Sequence, residues 1–174
     1  MAATYRGVII GTAFAANKSM ITLFNGSGSG RILRVKRIWM LNNQTTSITG
    51  VLTTLEIRRI SASTGGTAGT VVKHDSQSET LPGQVVVVTG STDTLTGDPP
   101  LMRFMWSNDE PATGSLTIDE IEIVPAFACI FDVTGDQDIE PLVLRESEGV
   151  CVRHVGSTTV GVADLVIEFT SSTS

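Results

Sequence analysis

Lysine, histidine, cysteine and aromatic residues are all scarce in this 174-residue chain: three Lys, two His, two Cys and 5% aromatics. The two histidines, His74 and His154, stand far apart, with no His-x-His or Cys-x-x-Cys spacing, which argues against a zinc or cupin-type metal centre. No apolar run approaches the roughly 20 residues that a membrane-crossing helix needs. The opening MAATYRGVIIGTAFAANKS lacks a basic start followed by a continuous apolar block. The expectation is therefore synthesis in a cytoplasm with no membrane partner. A formal net charge of −6 with 17% charged residues argues against wrapping nucleic acid, which requires clustered positive charge. It leaves room for a local basic patch. Capped helical periodicity is missing throughout.

What is abundant favours strands: 18 Val, 23 Thr and 17 Gly. β-branched side chains suit a pleated, half-buried surface, and glycines punctuate turns. Short alternating runs recur between clusters of Gly, Asn, Asp, Ser and Pro. They predict strands over Tyr5–Thr12, Met20–Phe24, Thr70–His74, Gln84–Thr89, Leu101–Ser107, Ile118–Val124, Ala126–Phe131, Leu142–Arg145, Val150–Val155 and Thr159–Thr170. With the two runs described next there are twelve candidate segments, some of them short, which we read as an all-β chain of about ten strands. We expect one β-sandwich domain over residues 1–174, a two-sheet jelly roll, with an extended N-terminal segment and a frayed tail at SSTS. In the last strand Leu165, Ile167 and Phe169 point inward.

The stretch ILRVKRIWMLNNQTTSITGVLTTLEIRRIS, residues 32–61, holds two long alternating runs around a polar gap. Read as a hairpin, it sets Val35 against Ile57, Leu41 against Val51 and Lys36 against Glu56, with Arg34 beside Arg58. Nine of the twelve basic residues are Arg, the cation suited to interfaces. Arg34, Lys36, Arg58 and Arg59 are accordingly the candidate interface patch, the alternative being a solvated outer sheet face. Trp39 shares a face with Leu33 and Val35 under strict alternation, so it is expected in the core, as is Trp106; ligand stacking is the other reading for Trp39.

Candidate catalytic groups do not assemble. His74, Asp75 and Ser76 are consecutive, and neighbours on a strand point to opposite faces, so they read as a strand end entering a turn. His154, alone on a predicted strand, reads as structural or exposed. Cys129 and Cys151, flanked by apolar residues, read as buried free thiols, the alternative being a disulfide between neighbouring strands, which a reducing compartment disfavours. The turn DVTGDQDIEP gathers Asp132, Asp136, Asp138 and Glu140, without the spacing of an EF-hand loop; it reads as a solvated acidic turn, with a bound cation as the alternative. NGSGSG at 25–30 lacks the Lys-Ser/Thr ending and following helix of a phosphate loop. No cofactor is implied.

The order of ILRVKRIWMLNN, TTLEIRRISASTGGT, VVKHDS, WSNDEPATG, DEIEI, IEPLVLRESEGVCVRH and GVADLVIEFT resembles that of small tailed-bacteriophage virion structural proteins, of the capsid-decoration or minor-capsid type. The likeness spans most of the chain. It implies a jelly-roll body, a homo-oligomer with a trimer favoured, and partners among the major capsid protein or other virion proteins. It also implies a location in the virion after assembly in the host cytoplasm, no direct nucleic-acid contact, no cofactor and no catalysis. The alternative is a receptor- or glycan-binding module of a tail or head fibre.

Overall fold

In the computed structural model the described residues are 2–43, 52–107, 127–135, 139–156 and 161–174. They form thirteen strands and no helix. In chain order these are β1 (Ala3–Ala13), β2 (Ser19–Asn25), β3 (Arg31–Asn42), β4 (Leu52–Thr64), β5 (Thr67–Ala68), β6 (Thr70–Lys73) and β7 (Val85–Thr89). The rest are β8 (Thr92–Thr96), β9 (Met102–Ser107), β10 (Phe127–Asp132), β11 (Leu142–Leu144), β12 (Glu148–His154) and β13 (Val162–Thr173). The predicted strand at Ile118–Val124 lies outside the described residues. The short β5 and β8 carry no aliphatic alternation, so sequence periodicity passed over them.

The strands pair antiparallel in two sheets. Sheet A runs β10-β3-β13-β1-β6, with β11 also on β3; sheet B runs β5-β7-β2-β12-β4-β8, with β9 also on β4. The late strand β13 lies between β1 and β3, and β12 lies between β2 and β4. β1 to β4 thus alternate between the sheets, as do β11 to β13, and the first and last strands are wound together, which is the path of a jelly roll. All-β sandwich architecture and a single domain are therefore as expected. β5, β6 and β7 widen the edges beside β1 and β2.

Two expectations need correction. β3 and β4 do not form a hairpin, because they belong to opposite sheets: β3 pairs with β13, β10 and β11, and β4 with β12, β8 and β9. Matching aliphatic faces satisfy two strands equally well when they stack across a core as when they pair edge to edge. Val35 and Ile57 both reach that core at 0% exposure, from opposite sides. The tail is not frayed either. Ser171, Ser172 and Thr173 pair with Leu33, Ile32 and Arg31, and the Ser174 N–H donates to the Gly30 carbonyl at 3.1 Å. The N-terminal segment is itself a strand of sheet A, paired to β13 from Ala3 onward.

The core fills the space between the sheets. Tyr5, Leu33, Ile38, Met40, Leu165, Ile167 and Phe169 come from sheet A, against Leu23, Leu55, Ile57, Val87, Val150 and Val152 from sheet B. Tyr5 stacks on Phe169 with ring centroids 5.8 Å apart. Gly7 is fixed by close approach of the layers: a Cβ there would lie 2.7 Å from a Val87 methyl. His154 sits fully buried at the sandwich end. Its Nδ1 is 3.1 Å from the Ala15 carbonyl, its Nε2 contacts the Thr53 hydroxyl, and its ring packs edge-on against Phe14. Of the two sequence readings, structural or exposed, its burial selects the first.

The inward assignment of β13 is checked by paired truncations. Ile167→Ala should cost about 3 kcal/mol in urea unfolding, the usual range for a buried aliphatic being roughly 2–5. Val166→Ala, one residue away on the outward face, should cost under about 1 kcal/mol. Equal losses would overturn the assignment.

Candidate interaction surface

Strict alternation along β3 fails at one place. Val35 pairs with Phe169, but Glu168 pairs with Arg37, so Lys36 is an extra residue: a β-bulge. Strict alternation would drive Arg37 into the core and Ile38 out of it. The bulge returns Ile38 and Met40 to the interior at 0% exposure and turns Arg37, Trp39 and Leu41 outward. Trp39 is therefore not a core residue, a correction of the sequence reading. Trp106, at 5% exposure, is.

The outward side of sheet A then carries an ordered row of charge across four strands. Arg6 pairs with Glu168, Glu168 with Arg37, and Arg37 with Asp132, giving alternating signs over β1, β13, β3 and β10. The Arg6 Nε lies 3.1 Å from Glu168 Oε2, and the Arg37 Nε lies 3.2 Å from Asp132 Oδ2. His74 approaches Glu168 at 3.6 Å, and its backbone N–H donates to Thr4 as the strand ends; Asp75 caps the turn beyond by accepting the Gln77 N–H. Asp132 accepts the Thr134 hydroxyl and N–H as well as Arg37, and these bonds hold its carboxyl below the usual range. Asp136 and Asp138 of this turn lie outside the described residues. Among the described residues no cluster of three or more His, Cys, Asp or Glu is placed to hold a metal.

One step along the strands, Val8, Val166, Trp39 and Cys129 form the next row. The guanidinium carbons of Arg6 and Arg37 stand 5.4 and 5.9 Å from the Trp39 ring centre, within cation–π range. Arg6, Trp39, Leu41 and Val166 line a shallow depression of ≈210 Å³. Beyond the charged row, Lys36, Glu168, Thr4, Thr170 and Thr134 line an open groove of ≈460 Å³.

The expected basic patch is not one surface. Arg34 and Lys36 lie on the outward side of sheet A, where Arg34 donates to the Ser172 hydroxyl at 2.9 Å. Arg58 lies on the outward side of sheet B, with only 12% of its side chain exposed. It bonds Glu56 at 3.4 Å, Asp98 at 3.2 Å and the Gly97 carbonyl at 2.9 Å. Arg59 takes the inward side and crosses the sandwich to donate to the carbonyl of Val143, the sheet A residue paired with Arg34. Arg58 and Arg59 are thus internal clamps, and the anticipated clash of Arg34 with Arg58 does not arise.

Two further sites were not legible. The NGSGSG loop does bind an anion, but an internal one: the N–H groups of Gly28 and Gly30 donate to the Glu146 carboxylate at 3.1 and 2.8 Å, and lower its pKa. Both glycines adopt positive φ, which aims their amides at it. On the outward side of sheet B, Ser19, Thr22, Ser91 and Cys151 are all nearly sealed, and Asp93 accepts from Thr22 at 2.7 Å. Both cysteines are free, as expected; Cys151 is buried, but Cys129 is exposed, a correction. Burial pushes the Cys151 thiol up to about 12.

Comparison with protein-family models, with curated proteins and with solved structures returns no match.

Arg58→Glu should lower stability by about 3 kcal/mol, because it leaves buried Glu56 facing like charge. Lys36→Glu, on the open groove, should change it by under about 1 kcal/mol. Thermal melts of equal midpoint for the two would contradict the division of the patch. Cys151 adds a pH signature. The folded thiol keeps its proton to about 12, whereas an unfolded thiol loses it near about 8.5. In that window the folded state binds the extra proton, so stability is complete below it and falls as pH rises, by on the order of 1 kcal/mol per unit. Cys151→Ala should flatten the alkaline slope of urea midpoints; an unchanged slope would show that the thiol is not sealed.

Proposed function

We propose that this protein is a non-enzymatic structural component of a tailed-bacteriophage virion, which decorates or cements the capsid through contacts with the major capsid protein or other virion proteins. The observation that carries the reading is where the reactive and adhesive side chains lie. Trp39, Arg6 and Arg37 occupy a broad sheet face, and Trp and Arg are the residue types that dominate binding energy at protein interfaces. The buried thiol, Cys151, has its thiolate suppressed by burial, which is unfavourable for a nucleophile. A jelly-roll body suits the role, since its rigid sheets hold surface groups in fixed register. Alternating signs on the sheet A face favour docking that is steered and registered by charge. In this reading assembly takes place in the host cytoplasm and the chain ends in the virion.

A second reading, a receptor- or glycan-binding module of a tail or head fibre, is favoured by Trp39 lying outward near a groove lined by threonine hydroxyls, Lys36 and Glu168. Locating the labelled chain by imaging intact particles separates the two. The capsid reading expects regular occupancy of the shell lattice. Occupancy confined to the tail tip, with glycan binding lost in Trp39→Ala, would overturn it in favour of the second.

A further inference from the structure

The charged row on sheet A has a symmetry property. Read across the strands it is Arg6, Glu168, Arg37, Asp132, so its signs run plus, minus, plus, minus. Such a row is antisymmetric about its midpoint, between β13 and β3. Turn a second copy over about an axis that runs along the strands at that midpoint, and the row meets its own reverse. Arg6 then faces the other copy's Asp132, and Glu168 faces the other copy's Arg37. Each position recurs twice, as a twofold interface demands. All four contacts join opposite charges, whereas a row of any symmetric sign pattern would meet like with like.

The neighbouring row obeys the same operation. Val8, Val166, Trp39 and Cys129 carry no charge at any position. Reversal sets each Trp39 on the other copy's Val166, which lines the depression beside Trp39. The apolar row thus lies against an apolar row, and the charged row against a charged one. Two rows with different chemistry select one axis.

We propose that the outward side of sheet A is a twofold docking surface for a second copy of this chain, packed sheet to sheet, with Trp39 and the Glu168–Arg37 pairs at its centre. This rests on the reading above that the protein works through protein contacts, and it names the surface. A twofold yields a dimer, not the trimer that the virion resemblance implies. The intramolecular pairs need not break. Each Arg6–Glu168 and Arg37–Asp132 pair is a dipole along the row, and the operation lays dipoles of the two copies antiparallel.

The test is a charge-swap experiment read by sedimentation velocity over a concentration series, with native mass spectrometry of the species formed. Wild type should sediment at twice the 18.4 kDa chain mass. Arg37→Glu alone places like charges at 37 and 168 across the axis, as does Glu168→Arg alone, so each should weaken self-association at least tenfold. An equal mixture of the two variants restores every cross-axis pair and should give a dimer with one chain of each kind. Glu168 is only 11% exposed in its side chain, so circular dichroism and melting check that both variants fold. Arg6→Glu mixed with Asp132→Arg repeats the design at the exposed ends of the row, where side chains are 46% and 42% exposed. Trp39→Ser should also weaken the dimer without loss of fold. A wild type that stays monomeric, folded single variants that dimerise as wild type does, or a mixture that stays monomeric would each overturn the proposal. A monomer that nevertheless binds capsids would sink this surface and leave the virion reading standing; a dimer that binds no particle would do the reverse.

Discussion

The structure depends on one constraint: the aliphatic inner faces of two sheets must meet with no unsatisfied charge between them. Burial of Val35, Ile38, Ile57, Val150, Leu165 and Ile167 supplies the main favourable term, at roughly 25 cal/mol per Å² of apolar surface. It also dictates the winding. A strand from the end of the chain, β13, is placed between β1 and β3, and β12 between β2 and β4, so closing the core ties both termini into it. Gly7 and the Tyr5–Phe169 stack mark how closely the layers approach.

The same constraint creates the surface. Two four-residue words in this chain have the same form, an aliphatic, two cations and an aliphatic: Val35-Lys36-Arg37-Ile38 and Ile57-Arg58-Arg59-Ile60. In either word strict alternation would aim one cation at the core. β3 resolves the conflict with a bulge, so both cations leave and Trp39 turns out with them. β4 keeps its alternation against β12. There Arg59 is long enough to span the layers and find the Val143 carbonyl, while Ile60 is buried on the other side of its sheet. One pattern thus has two physical solutions, a local backbone irregularity or a snorkelling side chain.

Much of the fold was legible because alternation is a local signal. The edges of β1, β2, β9, β10, β12 and β13 follow the periodic runs within a few residues, and Leu165, Ile167 and Phe169 of β13 were readable as inward, whereas the buried Ser171 further along the strand was not. Pairing partners were not legible. An inward-facing Val35 is equally content beside Ile57 in one sheet or opposite it across the core, and nothing in the polar gap between β3 and β4 decides which. The bulge was half legible: two adjacent cations between aliphatics announce a conflict, but no glycine or proline marks how it is resolved. The interface patch was misjudged for that reason, since it assumed neighbouring strands and outward cations. Arg34 and Lys36 remain on a surface, whereas Arg58 and Arg59 serve the fold. The Gly28–Gly30 nest was hidden because its anion, Glu146, comes from far along the chain.

Among the described residues, Trp39 with Arg6 and Arg37 consequently stands on the outward side of sheet A. On sheet B, the Ser19, Thr22, Asp93 and Cys151 cluster seals part of the outward side, and the Glu56–Arg58–Asp98 contacts neutralise another. On sheet A, charge and aromatic rows stand in register on four strands, a pattern suited to contact with another ordered surface. The central claim, that the bulge in β3 sets this face while pairing β3 to β13, is tested most directly by backbone proton–proton contacts in a nuclear magnetic resonance spectrum. The account predicts contacts of Arg37 with Glu168 and of Trp39 with Val166. A ladder of backbone contacts joining Val35 to Ile57 and Lys36 to Glu56, as in a hairpin, would contradict it.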